Sequence, residues 1–295
     1  MPFSFFRCLI CNEQHTLEQE SDKWTCSFCG KVYNVIEGIP FLVRDEVLHA
    51  QMLQEQINKM PNWYAAEQPP EEVSPWKHHL KKRREYIESV IITYLHEKGK
   101  TKAETLLDLG CGDGNNLRFL SKYGNDVWGS DYNILRLLRA QRHNPTVPIF
   151  LADILDYPAG DNFFELIFFN HVLEHIKEDK QALAAVLRIL KPKGLLILGV
   201  PNEGAWWWQL AYRLEPQSLI LTDHVQFYTA KKLRKKMEEQ GFIIKEIEHI
   251  GWGPPHWGLD ARIRKYQWVD DLFEIIGKRL FPHQASSLYI IATKG

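Results

Sequence analysis

Leu106 to Asn116, LLDLGCGDGNN, is the stretch that decides the fold. An apolar run carries Asp108 near its end, and glycines follow at 110, 112 and 114 before the helical pattern NNLRFLSKY. Glycines at a strand-to-helix turn let the backbone approach a ligand, with the amides of the helix start facing it. The dinucleotide pattern GxGxxG is not met: the spacing is GxGxG, with Asn115 where the third glycine would stand. The Asp108 carboxylate would repel a pyrophosphate and suits a ligand carrying an ammonium group. A dinucleotide-dependent oxidoreductase is the lesser alternative.

Outward from this turn, short apolar runs alternate with helical patterns. DVWGSD, VPIFLAD, FELIFFN and LLILGVP read as strands, and ILRLLRAQR and KQALAAVLRIL as helices. Fully apolar strands in βαβ alternation are the mark of a parallel, doubly wound α/β sheet. AKKLRKKMEEQ reads as a further helix, FIIKEIEHI and SLYIIATK as two last strands, and 251–284 as an irregular aromatic segment.

The strand ends collect candidate ligand-binding residues, because ligands of open α/β sheets gather at the carboxyl edge. Asp131 ends the second strand and can accept both hydroxyls of a ribose; otherwise it caps the helix ILRLLRAQR. Asp153 ends the third, where it can accept from an exocyclic adenine amine with Ile154 packed on the ring; otherwise it is a loop carboxylate. The fourth ends in Asn170-His171-Val172-Leu173-Glu174-His175.

Four of the five cysteines lie in the first 29 residues, as Cys8-x-x-Cys11 and Cys26-x-x-Cys29. Two knuckles separated by 14 residues can close a tetrahedral thiolate site, which predicts structural zinc. Four thiolates leave no open position for catalysis. A block of this size also needs a metal to supplement its small core.

Two resemblances follow. The run through the four cysteines, Tyr33 and IEGIPFLV resembles the small zinc-ribbon proteins that activate tRNA and protein methyltransferases, over residues 7–44. LLDLGCGDG, Asp131, Ala152-Asp153, NHVLEHI and LKPKGLLILGVPN, in register over about 104–245, resemble class I S-adenosylmethionine-dependent methyltransferases, closest to the ubiquinone and menaquinone branch. The second implies a Rossmann-like seven-stranded sheet. It implies that Asp108 and the turn Gly110-Cys111-Gly112 hold the methionine end of S-adenosylmethionine. Asp131 with Tyr132 would hold the ribose, Asp153 and Ile154 the adenine, and Asn170, beside His171, would lie beneath the sulfonium.

The expected organisation is therefore a zinc ribbon at 1–45, a helix and linker at 46–75, and a methyltransferase domain at 76–295. An aromatic acceptor lid is expected at about 203–228 and 251–284. Transfer from a sulfonium is an in-line displacement in which the protein aligns the partners. An alcohol or phenol acceptor profits from a general base, and His224 and His175 are the candidates, each with a packing or capping role as the alternative. Some of the quinone-type O-methyltransferases that the chain resembles bind a divalent metal through acidic residues and a histidine in an ExxEH segment. Here His171 replaces the first acid, so no catalytic metal is expected.

Trp206, Trp207 and Trp208 serve either the core or the acceptor. The expected acceptor is a small molecule, glycan or lipid precursor. RNA is the second partner class, suggested by the ribbon and by KHHLKKRR at 77–84, which otherwise is a solvated helix face. The chain lacks (D/N)PP(Y/F) after the fourth strand, against base-amine and glutamine methylation. A non-catalytic scaffold is the third reading. The net charge of −1 gives no global field for nucleic acid. No apolar window of membrane-spanning length and no signal-peptide pattern appear, so a cytoplasmic protein is expected. Oligomeric state is not readable.

Overall fold

The computed structural model describes residues 5–14, 16–217, 222–254 and 256–295. Residues 218–221 and 255 of the expected acceptor lid lie outside the described residues, as do residues 1–4 of the N-terminus. The chain forms two compact units. The first holds Met1–Gln68, Lys102–Phe168 and Gln181–Gly194; the second holds Pro69–Thr101, Phe169–Lys180 and Leu195–Gly295.

The strands are β1 (Leu17–Gln19), β2 (Lys23–Cys26), β3 (Val32–Ile36), β4 (Ile39–Leu42), β5 (Ala103–Leu109) and β6 (Gly124–Asp131). They continue as β7 (Ile149–Ala152), β8 (Phe164–Asn170), β9 (Leu190–Pro201), β10 (Phe242–Ile250) and β11 (Ser287–Lys294). Their hydrogen-bonded order is β1-β2-β3-β4-β7-β6-β5-β8-β9-β11-β10. The reversal on either side of β5 is the doubly wound arrangement.

The sheet has eleven strands, not the seven expected. β5 to β11 are those seven; the other four come from the N-terminal block. In the first unit β4 pairs in parallel with β7 through Phe41↔Leu151 and Leu42↔Ala152. The reason is physical. β4 is IPFL, buried at all four positions, so it needs cover on both faces. β7 would otherwise present an open edge of unpaired amides and carbonyls. β3 and β4 are joined by Glu37-Gly38, with φ of +50° and +81°, the tight two-residue turn that matches strand twist.

In the first unit, the helix Ile134–His143 begins at Asn133, whose side chain accepts from the amides of Leu135 and Arg136. The cap is thus Asn133 and not Asp131. NNLRFLSKY yields only the turn Leu117–Leu120, shorter than its pattern suggests.

In the second unit, β11 lies antiparallel between β9 and β10. The segment 251–284 is not irregular. It contains the helices Trp257–Ile263 and Gln267–Leu280. Gly277 hides the second one in sequence, and its absence of a side chain is structural: a Cβ there would stand 2.0 Å from Trp252 Cγ. Among the described residues no helix is long and apolar enough to cross a membrane.

Candidate functional site

The glycine turn of the first unit is tied to the end of β6: Gly110 and Cys111 amides donate to Ser130 O at 2.8 and 2.9 Å. Gly110, Gly112 and Gly114 all have positive φ. Gly114 is also pinned by packing, since a Cβ would lie 3.0 Å from the Ala140 backbone. Cys111 is buried against Gly129, so its backbone and not its thiol is what the turn can offer. Burial, then the charges of Asp108 and Asp131, push that thiol up.

Asp108 is 1% exposed, and its Oδ2 has no hydrogen-bond partner. Burial and then the charge of Asp131 push its carboxyl well above the usual range. A buried carboxylate oxygen without a donor is costly unless a cation or donor arrives. An amino acid ammonium is such a group, so the residues fit the methionine end of S-adenosylmethionine. Asp131 accepts from the Gly112 amide at 2.9 Å and the Asn133 amide at 2.8 Å, which fixes its carboxylate across the mouth of the turn. Asp153 accepts from the Leu155 amide at 2.9 Å, ahead of the short turn Ile154–Asp156.

Residues 46–68, expected as helix and linker, pack on this turn. Asp113 is buried between Arg139 Nε at 2.9 Å and the Gln68 amide at 2.7 Å. Arg139 also donates to Ala65 O and Ala66 O, Arg136 to Trp63 O, and Asn133 to Tyr64 O. His49, on the helix Glu46–Lys59, donates to Tyr132 O at 2.8 Å with the rings 4.2 Å apart. Asp113, Arg139 and His49 escaped the sequence reading. Asp113 stands inside the quoted turn, but its glycines drew the reading.

The second unit gathers the histidines. Asn170 Oδ1 accepts from the Tyr289 hydroxyl at 2.7 Å and lies against Gly199, where a Cβ would be 2.3 Å away. His171 has φ of +53°, an uncommon backbone for a non-glycine residue. Its Nδ1 donates to Glu174 Oε1 at 3.3 Å. The Glu174 carbonyl accepts from the Val225 and Gln226 amides, which brings His224 beside His175: the rings are 4.8 Å apart. The ligating atoms of Glu174, His175 and His224 lie within 4.8 Å of one another.

His224 Nδ1 donates to Glu203 Oε2 at 2.6 Å, and the Tyr212 hydroxyl donates to the other oxygen. Glu203 is 3% exposed. Burial pulls the His224 pKa down, but the hydrogen bond and charge of Glu203 outweigh it and the net shift is upward. His175 is shifted down, by burial first, with Glu174 opposing. Glu174 is shifted down although burial pushes it up, because the hydrogen bond from His171 and the charges of the three histidines prevail. A carboxylate behind an imidazole fixes the tautomer and stabilises the imidazolium. The arrangement can therefore take a proton at His224 Nε2. Glu203 and Tyr212 were missed; they stand in VPNEGAWWW and in the QLAYRL that follows it, with nothing in either to single them out.

Trp208 is buried with Ala205, Ala211 and Tyr212, whereas Trp206 is 55% exposed. The basic helix is largely neutralised. Lys82 meets Asp270, Asp271 and Glu274 at 2.6–2.8 Å, Arg83 and Arg84 meet Glu71, and Lys81 meets Glu85.

In the N-terminal block, Cys8 Sγ and Cys29 Sγ are 3.6 Å apart, Cys11 and Cys26 are 3.7 Å apart, and all four sulfurs lie within 4.8 Å. A tetrahedron with zinc–sulfur bonds has edges of about 3.8 Å, so the cage fits the ion. The buried Tyr33 hydroxyl accepts from the Leu9 amide and sits 3.4 Å from Cys8 Sγ.

Comparison with known proteins shows the family. Residues 78–247 match the family model described as a methyltransferase domain. A probable S-adenosylmethionine-dependent methyltransferase of Mycolicibacterium smegmatis is 21% identical over 171 residues, 58% of this chain and 64% of that one. The mitochondrial ubiquinone biosynthesis O-methyltransferase of Schizosaccharomyces pombe is 25% identical over 185 residues, 56% of this chain and 65% of that one. The chain thus spans less than two thirds of the length of these relatives. In fold it is similar to a chain from a complex between the Haloferax volcanii Trm112 methyltransferase activator and a methyltransferase, with a TM-score of 0.50, 19% identity, and coverage of 85% of this chain and 98% of that one. With more than half of its length matched, the chain belongs to the methyltransferase-domain family, and the matched segment is a class I S-adenosylmethionine-dependent methyltransferase domain.

Proposed function

We propose that the protein transfers a methyl group from S-adenosylmethionine to a hydroxyl of a small molecule, glycan or lipid precursor, with a quinone-type phenol as the best acceptor class. The observation that carries the acceptor chemistry is the His224–Glu203–Tyr212 relay. An alcohol or phenol becomes a strong nucleophile only as its proton leaves, so a hydroxyl acceptor profits from such a base. The Schizosaccharomyces pombe relative, an O-methyltransferase by name, points the same way.

Asp108 and the Gly110-Cys111-Gly112 turn would hold the methionine end of the donor, Asp131 and Tyr132 the ribose, Asp153 and Ile154 the adenine, and Asn170 and His171 the region of the sulfonium. The bound donor supplies an electrophilic methyl carbon. His224 accepts the acceptor's hydroxyl proton at Nε2, while Glu203 keeps Nδ1 protonated and stabilises the cation. His175, held neutral by its burial, orients the acceptor. Residues 1–45 form a ribbon whose zinc, on Cys8, Cys11, Cys26 and Cys29, is structural. The neutralised basic helix argues against RNA as acceptor.

The test is methyl transfer from labelled S-adenosylmethionine to a panel of catechols, glycans and RNA, with and without chelator. Labelling of a catechol, resistant to chelator and lost in His224→Asn, is the expected result. Labelling of RNA alone, or loss with chelator and recovery with magnesium, would overturn it.

A further inference from the structure

The second unit carries an exposed apolar surface, on segments expected as acceptor lid, to which the proposed proton transfer assigns no role. On the helix Trp206–Leu214, Trp206, Leu210 and Leu214 are exposed at intervals of four, one stripe of one face. On the helix Gln267–Leu280, Trp268, Leu272, Ile275, Ile276 and Leu280 are exposed, with Trp268 at 69% and Ile275 at 64%. The two stripes adjoin. The rings of Trp206 and Trp207 are 5.2 Å apart, those of Trp207 and Phe281 are 5.6 Å apart, and the Trp207 amide donates to Gln284. Phe281 is itself exposed. A contiguous apolar surface of this kind marks an interaction site.

Charge selects the occupant. Each carboxylate on these helices and their junctions is engaged. Asp260 and Asp270 pair with Arg264, Asp270, Asp271 and Glu274 with Lys82, and Glu215 with His256. By contrast Arg213, Arg262, Lys265 and Arg279 are exposed and carry no ion pair among the described residues. Acids held in ion pairs and cations left without one beside an apolar stripe suit an anionic, apolar partner. A second copy of the chain would bring the same cations face to face across a two-fold axis, which is repulsive. Nucleic acid would leave Leu272, Ile275, Ile276 and Leu280 without a function. A bilayer surface with anionic headgroups satisfies both features, with tryptophans at the headgroup level and Arg279 reaching outward from within the stripe.

We infer that the helices Trp206–Leu214 and Gln267–Leu280 form a docking face for an anionic lipid surface. Attachment is peripheral. It stands whether or not the methyl acceptor is itself a lipid.

The test is flotation of the full chain with vesicles of phosphatidylcholine alone and of phosphatidylcholine mixed with phosphatidylglycerol. The protein should float with the mixed vesicles and weaken in high salt. Trp268→Ser with Ile275→Ser should abolish flotation, and each of Arg279→Gln and Lys265→Gln should weaken binding about five-fold. All these positions are exposed, and unchanged circular dichroism and S-adenosylmethionine binding would show that the variants remain folded. Failure to float, equal flotation with the uncharged vesicles, or a dimer in light scattering that the same substitutions dissolve would each overturn the inference.

Discussion

His224 Nδ1 lies 2.6 Å from Glu203 Oε2, a pair that joins two segments 21 residues apart. Because Glu203 raises the His224 pKa against the effect of burial, the neutral base forms only as pH rises through that raised value. Activity should therefore climb along an acidic limb governed by His224. Glu203→Gln should move the limb to lower pH and still reduce kcat, since the imidazolium loses its stabilising charge. His224→Asn should lower kcat by about 10²–10⁴-fold with donor affinity unchanged. A pH–rate profile of both variants checks this. The same pair contributes to folding fully below the unfolded histidine pKa and ceases to contribute as pH rises through the folded one.

Asp108→Asn should act with opposite signs on stability and on binding. The buried carboxylate, pushed upward by burial and by Asp131, destabilises the ligand-free chain at neutral pH, and that penalty fades as pH falls through its raised pKa. The amide should thus raise the thermal midpoint without ligand. It should weaken S-adenosylmethionine binding by about 10–100-fold, the value of a charge-assisted hydrogen bond. Scanning calorimetry with and without ligand reads both.

Asp113 and Arg139 form an ion pair whose side chains are 1% and 13% exposed. Asp113→Ala leaves Arg139 without its partner and should cost about 3 kcal/mol in unfolding free energy. Hydrogen exchange should quicken at 61–68, the segment whose Ala65 and Ala66 carbonyls Arg139 holds. Denaturant unfolding and exchange mass spectrometry test the two parts.

Zinc should co-purify at one ion per chain and disappear in Cys8→Ser with Cys26→Ser, together with a lower thermal midpoint. Since β4 adds to β7, loss of the metal should also raise exchange along Ile149–Ala152, while Lys77–Glu97 stays protected. Elemental analysis combined with exchange measurements decides it.

Much of this was legible in sequence. Fully apolar runs such as FELIFFN announce buried strands, and the helix Ile134–His143 repeats its apolar residues on one face. What escaped depends on distant partners. IPFL marks a buried strand but not the neighbour it pairs with, because pairing with β7 joins residues more than a hundred positions apart. Gly277 reads as a helix interruption until Trp252 is seen packed on it. At the candidate site, strand-end acids were readable from position, since topology puts each strand end at one edge. Glu203 and Tyr212 were not, because their role arises only when His224 folds against them.

On the proposed reading, the turn bearing the orphaned Asp108 carboxylate recognises the amino acid end of a sulfonium donor. Isothermal titration of the full chain with S-adenosylmethionine tests it most directly, with a nicotinamide dinucleotide as the comparison. Saturable binding of the former at one site per chain, weakened in Asp108→Asn, is the predicted result. Uptake of the dinucleotide with none of the sulfonium donor would overturn the assignment of this turn.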